Sequence, residues 1–149
     1  MSLQVAVAFN AIRSPLTRDA VAGLARKVLN SEGMRHAELS IALVDPKSMA
    51  ELNENHLGHA GTTDVISFGF LPSHEGAPLV GDIYICPDVA RGNARTHGCS
   101  LREEIARLVI HGTLHVLGHD HPEGSHRMES PMWQRQEALL QSWLEAVAA

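Results

Sequence analysis

Two periodicities alternate along this chain, one of two residues and one near 3.6, and they divide it into strands and helices. Residues 4–9 (QVAVAF), 38–44 (ELSIALV), 65–70 (VISFGF) and 81–86 (GDIYIC) are short and apolar and predict four strands. After the first, Ser14-Pro15 and Thr17 offer a helix start, and Val21, Leu24, Ala25, Val28 and Leu29 recur at helical spacing. Asp45-Pro46 reads as an N-cap with a first-turn proline, so a short helix should run through Met49 and Leu52. Pro87 opens a helix toward His97. Ser100-Leu101-Arg102-Glu103 is a capping box. The helix behind it carries Ile105, Leu108, Val109, Leu114 and Val116 on its apolar side, and Gly118 is placed to stop it in a left-handed conformation. Residues 56–63 and 71–78 predict loops, as does the stretch around Pro122 and Gly124, while residues 128–148 are helix-rich. The order βαβαββααα predicts an α+β fold, a small mixed four-stranded sheet packed with helices. No repeat or linker divides the chain, so residues 1–149 are expected to form one domain.

Composition narrows the class. Apolar residues make up 44% and charged residues 19%, an ordinary globular balance. No apolar run approaches the roughly 20 residues of a membrane span. The first residues lack a basic segment and are interrupted by Gln4 and Asn10, so a cytoplasmic location is expected. Two cysteines make neither a disulfide framework nor a Cys-rich zinc site. Cys86 ends an apolar run and is expected to be buried; Cys99 stands beside a helix start. The net charge of −5 argues against a protein that coats nucleic acid non-specifically. Arg13, Arg18, Arg26, Lys27 and Arg35 nonetheless offer either a local basic face or an ordinary solvated surface.

The chemistry concentrates in HGTLHVLGHDH, residues 111–121. His111 and His115 are four apart, so a helix sets both on one face with Cβ atoms about 5–6 Å from each other. Gly118 permits a sharp turn that can carry His121 to the same ion. Three neutral imidazoles with a fourth position open to water are a catalytic zinc arrangement, one ion per chain. Asp120 can fix a ligand tautomer, serve as the general base, or simply cap the helix end. His119 and His126 either line the site or lie on the surface. Metzincin proteases share the histidine spacing, but their general-base glutamate follows the first histidine, where this chain has Gly112.

The segment closely resembles the signature of the YbeY family of metal-dependent endoribonucleases, H-G-x-L-H-L-x-G-x-D-H, with Val116 for a leucine. Leu52-Asn53, residues 63–68 (TDVISF), residues 81–86 and Met132, Gln136 and Glu137 match further family blocks in the right order. The resemblance implies an α+β fold and one zinc on His111, His115 and His121. It also implies cleavage of single-stranded RNA, in maturing the 3′ end of small-subunit (16S) rRNA and in ribosome quality control. The partners it implies are rRNA and ribosomal particles, with no membrane and no DNA. The family carries an arginine shortly after its Leu-Asn pair, where this chain has His56-Leu57. Phosphate contact then falls to another residue, such as His56, His59 or an N-terminal arginine.

A hydrolytic mechanism would use zinc to polarise a phosphoryl oxygen or activate water, with Asp120 or a nearby histidine moving the proton. The 2′-hydroxyl of the substrate is the alternative nucleophile. Two competing functions remain at this level: a ribosome-assembly factor whose metal is structural, and a zinc protease or amide hydrolase.

Overall fold

The computed structural model describes residues 2–121 and 124–148. In chain order the elements are β1 (Ser2–Phe9), α1 (Arg18–Ser31), β2 (His36–Leu43), α2 (Pro46–Leu57), β3 (Val65–Phe70), β4 (Leu79–Ile85), α3 (Pro87–His97), α4 (Leu101–Val116), a 3-10 turn (Gly124–Glu129) and α5 (Pro131–Ala148). The sheet order is β1-β2-β4-β3, parallel except for the antiparallel edge strand β3. This is the expected mixed four-stranded α+β arrangement.

The start signals act as the residue types dictate. Thr17 accepts the Ala20 N–H, Asp45 the Ser48 N–H at 2.7 Å and Ser100 the Glu103 N–H, each supplying an acceptor to an otherwise unpaired first-turn donor. Strand ends differ from the sequence expectation: β1 begins two residues earlier, at Ser2, and β2 runs His36–Leu43 rather than 38–44. β4 begins at Leu79, which pairs with Ala37, and Cys86 leaves the strand to precede Pro87 at the start of α3. Residues 128–130 are not continuous with the last helix. Ser130 accepts the Trp133 N–H and Pro131 takes the first helical position, so α5 starts there. Pro122, in the loop expected from the sequence, lies outside the described residues.

Helix α4 is the centre of the molecule. Leu39, Ile41 and Leu43 of β2 and Leu79, Ile83 and Ile85 of β4 bury one sheet face against α1 and α4, with α5 closing the far side. On the opposite face Met49 of α2 packs with Ala42, Val44, Ile66 and Cys86 in a smaller core. Cys86 is thus buried as expected, and burial raises its thiol pKa.

Two glycines set how closely α4 lies on the sheet. Gly69 and Gly81 are cross-strand partners on the α4 side. A Cβ at Gly69 would stand 2.9 Å from the Val116 carbonyl oxygen, and one at Gly81 would collide with the Val116 side chain. Gly112 plays the same part from the helix: a Cβ there would meet Ile83 Cγ2 at 2.8 Å. No helix among the described residues is long and apolar enough to cross a membrane.

Candidate metal centre

Helix α4 is buried nearly all round, and its partly exposed track runs Glu103, Arg107, His111, His115, each four residues from the last. The first two form an ion pair at 3.4 Å, and the last two present imidazoles one turn apart. The helix then ends in a Schellman motif. The Gly118 N–H donates to the His115 carbonyl and the His119 N–H to the Leu114 carbonyl, both at 3.0 Å. Gly118 has φ 100°, so the chain reverses there as the sequence predicts.

The reversal brings His121 back against the helix. The three rings lie 4.6 Å (His111–His115), 5.2 Å (His111–His121) and 5.1 Å (His115–His121) apart, centre to centre. One nitrogen from each falls within 4.8 Å of the other two, so the three could hold a metal ion.

Two of the rings are oriented by hydrogen bonds. His115 Nδ1 lies 3.0 Å from the His119 carbonyl, which only accepts, so Nδ1 carries the proton. Gln136 Nε2 donates to the Glu137 carboxylate at 3.0 Å, which turns Gln136 Oε1 toward His111 Nδ1, 2.6 Å away. His111 Nδ1 therefore donates as well. Both arrangements leave Nε2 with its lone pair, the form a metal requires. Burial pushes the His111 pKa down to about 4, against the Gln136 hydrogen bond and with repulsion from His115 and His121. Burial and His121 lower the His115 pKa as well. This neutral, pre-oriented donor set fits zinc.

The other sequence candidates fall in different places. Asp120 is exposed, and its Oδ1 accepts the His121 backbone N–H at 2.8 Å. His119 donates from Nε2 to Glu32 at 2.5 Å, tying the turn to the end of α1. His126 is exposed beside Glu129. His56, Leu57 and His59 are exposed around the end of α2, where the His56 ring stands 5.2 Å from that of Phe68. Arg26 and Lys27 donate to the Leu3 carbonyl and to Ser142, so they tie α1 to β1 and α5. Gly112, in the position of the protease glutamate, faces the sheet rather than the histidines.

Sequence reasoning assigned no chemistry to the surroundings. A cavity of about 360 Å³ adjoins His111 and is lined among others by Asp64, Asn93, Arg107, Arg127, Trp133 and Gln136. In its wall Arg107 binds the buried Glu104 at 2.6 Å and, behind it, Glu137 at 3.0 Å. Gln136 is 1% exposed, a polar residue in the apolar stripe of Met132, Leu139, Leu140 and Trp143. That break in pattern is the signal that could have found it.

The Endoribonuclease YbeY family model matches residues 7–144. An Endoribonuclease YbeY of Salinispora tropica is 39% identical, the match spanning 96% of each chain. One of Frankia casuarinae is 42% identical over 83% of this chain and 66% of its own length. The solution structure of TM1509 from Thermotoga maritima matches with a TM-score of 0.63 at 23% identity, over 97% of this chain and 93% of that one, which supports the fold.

Proposed function

The chain belongs to the Endoribonuclease YbeY family, and from that premise we propose that it is a zinc-dependent endoribonuclease specific for single-stranded RNA. We assign it to maturing the 3′ end of small-subunit (16S) rRNA and to ribosome quality control, in the cytoplasm and in contact with ribosomal particles. The whole chain would act as one catalytic domain.

The observation that carries the proposal is the convergence of three imidazoles, two of them with Nδ1–H already engaged and Nε2 available. His111, His115 and His121 would hold one zinc ion, which when bound would supply a Lewis acid for a phosphoryl oxygen and an acidified water. Gln136 and the His119 carbonyl keep the rings aimed. Asp120, held at the His121 backbone, is the proposed proton carrier. Arg127 lines the cavity next to His111 and is suited to the phosphate contact that Leu57 cannot make.

The test is cleavage of matched single-stranded and duplex RNAs by the purified protein, with metal analysis, a chelator arm and His115→Ala. Cleavage of the single strand alone, lost with chelator and in the variant, supports the proposal. A variant that restores rRNA processing in cells would instead favour an assembly factor with a structural metal. Product ends decide the nucleophile, since a 2′,3′-cyclic phosphate marks attack by the RNA's own 2′-hydroxyl.

A further inference from the structure

The cavity beside His111 has a use that the metal site does not explain. At about 360 Å³ it stands at the small end of ligand pockets, room for one nucleobase rather than a base pair. Its walls divide by chemistry. Trp133 and Arg127 supply flat groups, the guanidinium already lying over the indole ring 5.4 Å from its centre. RNA-binding proteins stack unpaired bases on such planes. The Asp64 carboxylate lines the same space, fixed by Asn93, whose Nδ2 donates to Oδ2 at 2.9 Å, and by Thr63 at 3.4 Å. The Val65 and Asp64 backbone N–H groups also bond this carboxylate, and burial raises its pKa, so a ligand donor would share its oxygens with them.

Resting on the endoribonuclease reading, we infer that this cavity seats the base of the nucleotide next to the scissile phosphate, and that Asp64 selects guanine. A carboxylate is acceptor-only when ionised and pairs best with two adjacent donors. Guanine offers N1–H and N2–H side by side. Adenine, cytosine and uracil each set an acceptor beside their donor on that edge, which a carboxylate repels. Because His111 belongs both to the triad and to the cavity wall, a seated base brings its own backbone to the metal centre. A base must leave its helix to enter, so the same pocket imposes single-strand selectivity.

The experiment titrates the metal-loaded protein with the four nucleoside 5′-monophosphates, following Trp133 fluorescence in a Trp143→Phe background. The chain has two tryptophans, so this leaves Trp133 as the only one. Guanosine monophosphate should bind at least about fivefold more tightly than the other three, the low end of what a bidentate base contact discriminates. Asp64→Asn presents a donor beside an acceptor, so it should lose the guanine advantage and gain affinity for adenosine monophosphate. A smaller guanine preference, or an unchanged one in a folded Asp64→Asn protein, overturns the assignment. Single-stranded RNAs differing only at the base beside the cut separate the two readings. Cleavage indifferent to that base sinks the pocket and leaves the nuclease standing. Guanine-selective binding without any RNA cleavage sinks the nuclease and leaves the pocket.

Discussion

Replacing Gln136 by methionine keeps the side-chain length and removes only the polar end. His111 Nδ1–H, now 2.6 Å from Gln136 Oε1, would face a thioether inside a packed interior where Gln136 itself is 1% exposed. A buried donor left without an acceptor costs about 1–3 kcal/mol. In the metal-free protein the imidazole escapes this by moving its proton to Nε2. In the loaded protein Nε2 is committed, so the cost falls on binding. At about 1.4 kcal/mol per decade, zinc affinity should drop roughly 10- to 100-fold, the range usual for partners behind a metal ligand. Competition against a chromophoric chelator at neutral pH measures it. Gln134→Met, on the exposed side of the same helix, is the control. A folded Gln136→Met protein that binds zinc within twofold of the parent would refute the orienting role.

Three further outcomes are expected. Gly69→Ala places a methyl 2.9 Å from the Val116 carbonyl oxygen, so thermal melts should show a loss of about 1–3 kcal/mol, and a stability at or above the parent would contradict the close packing of α4. Arg107→Met takes the guanidinium from the 2% exposed Glu104 carboxylate and leaves it His97 Nδ1 at 3.0 Å, so denaturant titration should show about 1–3 kcal/mol of destabilisation, and no measurable loss would argue against the buried pair. Metal-stripped protein should depend on pH through His111, whose pKa is about 4 folded against the ordinary 6.5. Between those values the unfolded chain takes up a proton that the folded ring refuses. Stability should therefore be flat above pH 6.5 and fall toward pH 4 by up to about 1.4 kcal/mol per unit, with His115 adding in the same direction; a flat profile over that window would remove the effect.

The sequence by itself determined the elements and the three imidazoles, because those signals are local. Caps at Thr17, Asp45 and Ser100 act within one turn, and the spacing of His111, His115, Gly118 and His121 spans a single helix end and its reversal. Tertiary structure decided what reaches the site from far along the chain. Gln136 comes 25 residues after His111 to fix its tautomer, and Asn93 stands 29 residues after the Asp64 it holds. Gly112 could be read as a missing proton carrier in the sequence, yet the fold makes it the point where α4 touches Ile83. Asp120 follows the same division: its position beside His121 is written in the chain, whereas its exposure and its bond to the His121 N–H depend on how the turn lies. Local periodicity places side chains on a helix, but only the packing of helices on a sheet sets which distant groups face them.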